Sequence, residues 1–333
     1  RTIYDTGTYI RDFLNSYEQT SVGIKLDAHK DLSSQALKYG VIFDRKEYSS
    51  DRKEVRNNGK IPPFSGTYLT NSVLDRYAAY ISDQFNFEPY GRTLSVTPSL
   101  RLEHQQYKPE ESGSRIQDKD FTYFAPSLAI AYQFTPENYS YFKYARGARI
   151  PSPMEMGGSY ETSNGASYLV MGNSNLNKET SDGFEIGLKN TAFDGIKVDV
   201  TAFYTAYSDF IDYQNVSVPG YFLVYRAENI ADARIWGAEL SSRIDLGHFI
   251  ENADGFSLAL VAGKTKGTAK NKEGTKTGLN SVQPEKGSLT FAYDDPNRKF
   301  GLGLTATTVG SRTASIDASS FQPDGESQNY KSV

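Results

Sequence analysis

Apolar and polar residues alternate with a period of two along roughly a dozen stretches of this chain, each about ten residues long. The clearest stretch puts six apolar or aromatic residues on one side of a strand: Ile196, Val198, Val200, Ala202, Tyr204 and Ala206. Successive side chains of a strand point to opposite faces, so one face suits an apolar phase and the other suits water. The pattern predicts an all-β fold, a transmembrane antiparallel β-barrel.

Short turns, such as those at 88–91 and 135–138, alternate with long polar segments along the chain. We count about thirteen strands, and outer-membrane barrels join such strands by short periplasmic turns and long extracellular loops. An open sheet would leave unpaired edges in lipid, so we expect further strands to complete the barrel. On this assignment the extracellular segments are 45–75, 108–120, 148–179, 208–221, 267–280 and 312–328.

The composition agrees with a wall that is apolar on one face only. Hydrophobic residues make up 38% of the chain, and the mean hydropathy is −0.55. Tyrosine is abundant, with 24 residues, and its ring suits a membrane–water boundary because the hydroxyl stays wet. The net charge of −4 gives no electrostatic case for nucleic acid as a partner.

Candidate catalytic chemistry is sparse. The chain has no cysteine, so it has neither disulfides nor thiolate metal sites. His-Glu-x-x-His, P-loop and Gly-x-Ser-x-Gly motifs are missing, and the three histidines are far apart in sequence. The sequence therefore predicts a protein that is not an enzyme and gives no certain metal site.

Two short boxes carry the most informative signal. The first reads Ala-Arg-Ile-Pro at 148–151, and the second reads Asn-Ser-Asn-Leu at 173–176. This stretch resembles the TonB-dependent outer-membrane receptors, and among them the haem and haemoglobin receptors, whose boxes have the consensus Phe-Arg-Ala-Pro and Asn-Pro-Asn-Leu. The residues that match the family boxes are Arg149, Pro151, Asn173, Asn175 and Leu176.

The resemblance implies a barrel of about 22 strands closed by a plug domain. We expect residues 1–333 to be part of that barrel domain, with no plug in this chain. It also implies active uptake of an iron-bearing ligand at the outer membrane of a Gram-negative bacterium, with energy from the inner-membrane TonB complex through the plug. Haem would be a transported ligand and not a cofactor. The other expected partners are a haemoprotein or siderophore, outer-membrane lipid and lipopolysaccharide.

The resemblance also directs attention to the segment between the boxes, where haem receptors carry an iron-binding histidine. This chain has no histidine there, but it has Met154, Met156, Tyr160 and Tyr168. A tyrosine phenolate can ligate haem iron, as can methionine. Our hypothesis is that Tyr160 or Tyr168 replaces the histidine; the alternative is that both are ordinary loop tyrosines. His104, near an extracellular strand end, is a reserve candidate whose alternative is a wet histidine in the lumen.

Other functions on the same architecture remain open at this point. A ferric-siderophore receptor would have the same fold. A passive porin of roughly 16 to 18 strands would leave an open channel. An outer-membrane hydrolase would need a cluster of catalytic residues at the rim, which three scattered histidines do not favour.

Overall fold

The computed structural model describes residues 2–5, 10–56, 71–110, 117–164, 166–219, 223–270, 276–278, 282–297 and 299–311. Within these ranges it describes only the backbone of 2–5, 10–15, 52–56, 159–164, 166–168, 191–192, 223, 231 and 276–278.

The described residues form β-strands, one short helix and two 3₁₀ turns, the latter at Pro89–Gly91 and Leu246–His248. The strands are β1 (Thr2–Asp5), β2 (Ile10–Asp31), β3 (Gln35–Arg56), β4 (Ser72–Phe87), β5 (Leu94–Pro109), β6 (Lys119–Thr135), β7 (Asn138–Arg149), β8 (Ser159–Asn164), β9 (Ala166–Met171), β10 (Glu179–Phe193), β11 (Ile196–Asn215), β12 (Leu223–Asp245), β13 (Phe256–Lys270), β14 (Lys276–Gly278), β15 (Lys286–Asp294) and β16 (Gly301–Val309). The helix α1 spans Pro153–Gly157.

All strands belong to one 16-stranded sheet. Its main path runs in chain order from β1 to β7, then through β10 to β13, and then to β15 and β16. Each neighbouring pair on this path is antiparallel, as the alternating pattern predicts. Strands β8 and β9 leave the path as a hairpin, and β9 pairs in parallel with the start of β12. None of the described helices has the length and apolar character needed to cross a membrane.

The register gives the sheet two chemically different faces. Across four adjacent strands, Leu188 pairs with Val200, Val200 with Leu240, and Leu240 with Ala262. We call this side the apolar face; it exposes large side chains such as Ile186, which is 60% exposed. We call the opposite side the polar face. It carries the alternate residues of the same strands, such as Asp199 and Ser241, which pair with each other. In a transmembrane barrel the apolar face contacts lipid and the polar face lines the lumen.

Several strands are much longer than the apolar alternation indicated. The segment 45–75 was expected as a loop, but β3 continues to Arg56 and β4 already begins at Ser72. Beyond the apolar residues the ladder continues with charged pairs. Arg45 Nε lies 2.7 Å from Asp75 Oδ1, and Lys108 Nζ lies 3.5 Å from Asp75 Oδ2. Outside lipid both faces meet water, so the sequence loses its alternation although the main chain stays paired.

The segment between the two boxes is also more ordered than a plain loop. It contains α1 and the hairpin of β8 and β9. Nothing in the spacing of its apolar residues predicted these elements, because they are short and one of them pairs with a distant strand.

Candidate ligand-binding site

Residues 150–178, here called the box segment, connect β7 to β10 at the end of the sheet that carries the long loops. The segment starts directly after Arg149 and ends directly before Glu179, and these two residues pair across the strands. Both lie on the polar face, beyond the apolar residues Phe142 and Ile186 of the same strands. The box segment therefore lies at the long-loop end of the sheet, on its polar face.

The helix α1 begins at a well-formed N-terminal cap. Ser152 Oγ accepts a hydrogen bond from the amide of Glu155 at 3.2 Å, and Glu155 Oε2 accepts one from the amide of Ser152 at 2.7 Å. Pro153 occupies the first helical position, where no intrahelical amide bond is lost. The sequence Ser-Pro-Met-Glu thus folds locally as a capping box, which fixes the direction of the Glu155 carboxylate.

Arg149 joins this helix to the barrel wall. Its Nη1 donates to both carboxylate oxygens of Glu155, at 3.0 and 2.9 Å. Its Nε and Nη2 donate to Glu179 Oε2, at 3.1 and 2.6 Å. The same Glu179 oxygen accepts the amide of Ile211 from β11, at 3.0 Å. Burial works against the Arg149 charge, but the hydrogen bond to Glu179 and the charge of Glu155 outweigh it, so the pKa of Arg149 is raised.

Met156 anchors the box segment in an apolar cluster on the polar face. It is 1% exposed and packs with four side chains of the wall: Tyr48, Leu74, Tyr107 and Phe121. Burial raises the pKa of the Tyr107 phenol, so that ring stays neutral. Met156 is a packing residue in this conformation, and its sulfur is not accessible to an iron atom.

Leu176 anchors the other end of the segment. It is fully buried and packs with Ile211 and Ala227 of the wall. Lys119 of β6 donates from Nζ to the carbonyl oxygens of Leu176 and Ser174, the latter at 3.0 Å. Burial lowers the pKa of Lys119. The second box is therefore held by an apolar contact and by a cation on its carbonyl groups.

The asparagines of the second box shape the turn that leads into this anchor. Asn173 Oδ1 accepts the amide of Asn175 at 3.0 Å. Asn229 of β12 accepts the amide of Asn177 at 2.8 Å and donates to its carbonyl oxygen at 3.1 Å. The turn is thus bonded both to itself and to the wall.

Between these anchors stands the hairpin of β8 and β9. Its base is continuous with α1, because the amide of Asn173 donates to the Glu155 carbonyl at 2.8 Å and that of Gly172 to the Gly158 carbonyl at 2.7 Å. Tyr160 lies on β8 opposite Val170, and Tyr168 lies on β9. Their side chains are outside the described part of the structure, so iron ligation by either tyrosine stays a prediction.

The remaining candidates are placed as follows. Pro151 is fully buried, and Met154 is partly exposed. His104 pairs with Tyr77 on the apolar face and contacts Thr122 Oγ1 through Nδ1 at 2.8 Å. It faces away from the box segment, so we leave it out of the candidate site.

Apart from Arg149, the charged residues that hold the segment were not identified from the sequence. Glu155 could have been found from the capping-box pattern that begins at Ser152. Glu179 and Lys119 gave no such signal, because their contacts are made only after strands distant in sequence come together. Among the side chains that the structure describes, no group of His, Cys, Asp and Glu is arranged to hold a metal ion.

A 16-stranded sheet with one apolar and one polar face, and with a structured segment on the polar face, is typical of the wall of a transmembrane β-barrel. The chain belongs to the TonB-dependent receptor-like β-barrel family, whose model matches residues 1–331. This confirms the family expected from the two boxes.

The chain is similar to two curated proteins of Haemophilus. A probable hemoglobin and hemoglobin-haptoglobin-binding protein 4 of Haemophilus influenzae is 28% identical over 256 residues, which cover 72% of this chain and 24% of that protein. The hemoglobin and hemoglobin-haptoglobin-binding protein of Haemophilus ducreyi is 26% identical over 271 residues, which cover 73% and 27%. The chain thus spans about a quarter of the length of these relatives.

Solved structures share the fold. The copper transporter OprC superposes with a TM-score of 0.71 at 16% identity, over 90% of this chain and 45% of that one. The Serratia marcescens hemophore receptor HasR, solved with its hemophore HasA and heme, gives a TM-score of 0.66 at 14% identity, over 90% and 54%. At these identities the likeness establishes the architecture of the wall and not the ligand.

Proposed function

We propose that this chain is part of an outer-membrane receptor of a Gram-negative bacterium that takes up haem, either free or delivered by a haemoprotein. The observation that carries the proposal is the box segment, which Arg149, Met156 and Leu176 anchor on the polar face of the wall. The two Haemophilus relatives are named as hemoglobin and hemoglobin-haptoglobin-binding proteins, and this supports haem as the ligand.

The proposed role is capture and transport without covalent chemistry, so the protein is not an enzyme and needs no resident cofactor. The extracellular mouth binds the ligand, and the energy for its passage comes from the TonB complex of the inner membrane through a plug domain. The apolar face contacts outer-membrane lipid, with lipopolysaccharide on the outer side.

Within the site, we assign iron ligation to Tyr160 or Tyr168. Both lie on the hairpin that rises from the anchored base, one on each strand. A phenolate is an established ligand of haem iron, and the segment between the boxes offers no histidine for that role.

A haem titration of the intact receptor tests this assignment. Tyr160→Phe and Tyr168→Phe each remove only the hydroxyl. We expect one of them, and the double variant, to shift the Soret band and weaken haem binding by about tenfold or more, because a ligand bond is lost. Tyr139→Phe, at the short-turn end of β7, is the matched control and should bind as the unchanged receptor does. An unaltered spectrum and affinity in the double variant would remove both tyrosines from the site.

Growth of an iron-starved strain that lacks the receptor tests the ligand itself. Restoring the receptor should permit growth on haem or haemoglobin as the only iron source. Growth on a ferric siderophore alone would overturn haem and assign the siderophore function instead. A large constitutive conductance of the purified receptor would indicate a passive porin.

A further inference from the structure

The hairpin that carries both candidate tyrosines is attached to a base that behaves as one hydrogen-bonded unit. Residues 152–158 and 172–173 form this base, through the amides of Asn173 and Gly172 and the carbonyl groups of Glu155 and Gly158. A Cβ on Gly172 would lie 2.6 Å from the Gly157 nitrogen, so the two halves of the base approach as closely as a glycine permits. The hairpin is thus held at its foot by this base, and β9 is held in addition by its pairing with the start of β12.

The base contacts the wall at two places: Met156 packs in the apolar cluster of the wall, and Glu155 is bonded to the Arg149 guanidinium. Arg149 bonds Glu155 of the base on one side and Glu179 of β10 on the other. Glu179 is also fixed by the Ile211 amide of β11, so the wall side of this connection involves three adjacent strands. The two carboxylates are mostly buried, with side-chain exposures of 16% for Glu155 and 7% for Glu179.

We propose that Arg149 is a positioning residue for the ligand, and that it sets the tilt of the β8–β9 hairpin by neutralising Glu155 and Glu179 together. The proposal rests on the proposed function only for its ligand readout. Without the guanidinium, both mostly buried carboxylates lose their shared counter-charge, and their repulsion drives the base away from the wall. A lysine at the same position presents one compact charge and cannot bond both carboxylates in the fork geometry of arginine.

Hydrogen–deuterium exchange on the intact receptor measures how firmly the hairpin is held, through the protection of its amides, without any ligand. In Arg149→Gln we expect the amides of 159–171 to exchange about tenfold faster or more, since several charge-assisted hydrogen bonds are lost. Arg149→Lys should fall between this variant and the unchanged receptor. Haem affinity should drop in the same order, while the thermal unfolding midpoint of the barrel stays unchanged because the strands remain paired.

The matched control is Lys143→Gln. Lys143 Nζ bonds Glu185 Oε1 at 3.1 Å and so joins the same two strands, β7 and β10, but it does not contact the box segment. This variant should leave both hairpin exchange and haem affinity unaltered.

The outcomes separate this proposal from the proposed function. Hairpin exchange that stays within about twofold of the unchanged receptor in Arg149→Gln would overturn the positioning role. If Arg149→Gln fails to assemble, Glu155→Gln tests the same connection, because it leaves the bond between Arg149 and Glu179 in place. Unchanged hairpin exchange in Glu155→Gln would also overturn the positioning role. A receptor that does not bind haem at all would refute the proposed function, while the exchange data would still decide the role of Arg149.

Discussion

Burial decides the difference between two methionines that look equivalent in the sequence. Met156 is 1% exposed within an apolar cluster, whereas Met154 is partly exposed on the same short helix. We expect Met156→Ala to destabilise the docked box segment by about 2 to 4 kcal/mol, because it leaves a cavity against Tyr107 and Leu74. Met154→Ala should cost less than about 1 kcal/mol, since little apolar area is lost.

Amide exchange at Met156 and Gly158, whose hydrogen bonds close the helix, measures this difference. Global unfolding of the barrel should respond much less, since the sheet remains intact. If the two substitutions had equal effects, or if Met154→Ala had the larger one, the anchoring role of Met156 would be wrong.

Some residues of the site could be identified from neighbouring sequence alone, and others could not. Arg149, Pro151 and Leu176 were identified because they belong to short boxes that can be recognised in the sequence alone. Lys119 was not, although it holds the second box, because its contact with Ser174 spans 55 positions and depends on how β6 lies relative to the box segment. Local patterns predict which residues matter in a turn, but not which distant cation completes it.

At the scale of the strands, the polar face shows aromatic rings lying over glycines of the neighbouring strand. Tyr141 pairs with Gly187, and a Cβ on Gly187 would overlap its ring. Tyr80 over Gly40 and Phe203 over Gly237 repeat the arrangement. Each ring therefore covers a neighbouring glycine instead of meeting a Cβ there.

Gly187→Ala tests this arrangement. The added methyl group must displace the Tyr141 ring and break its 3.0 Å hydrogen bond to Thr201, so we expect a loss of about 1 to 2 kcal/mol. Gly183→Ala is the matched control on the same strand and face. Its methyl would lie 3.5 Å from Thr205 Oγ1, an ordinary contact, so this change should be neutral or slightly stabilising. Urea unfolding in lipid vesicles compares the two, and equal effects would contradict the role of the ring.

The strands also show where sequence patterns stop being informative. The alternation located the strands and their short turns because it depends only on neighbouring residues and on contact with lipid. It did not predict that β11 continues to Asn215, inside the segment 208–221 that the pattern assigns to a loop. There, main-chain pairing with β12 maintains the ladder beyond the alternating stretch.

At the scale of the whole molecule, the wall is one layer thick, and each side chain belongs to one face or the other. A strand residue therefore meets lipid or lumen according to its parity, and its immediate neighbour meets the opposite environment. Leu240 and Ser241 of β12 are such neighbours. Leu240 lies between Val200 and Ala262, whereas Ser241 lies between Asp199 and Val261 on the polar face.

Arginine substitutions at these two positions compare the faces directly. Leu240→Arg places a charge among apolar side chains in lipid, and we expect a loss of about 2 to 4 kcal/mol if the site is near the bilayer midplane. Ser241→Arg places the same charge in the hydrated lumen next to Asp199, so the loss should be below about 1 kcal/mol. Unfolding in lipid vesicles measures both. Because the two residues share a strand and local propensity, a larger cost for Ser241→Arg would mean that the faces are reversed, and the box segment would then lie outside the lumen.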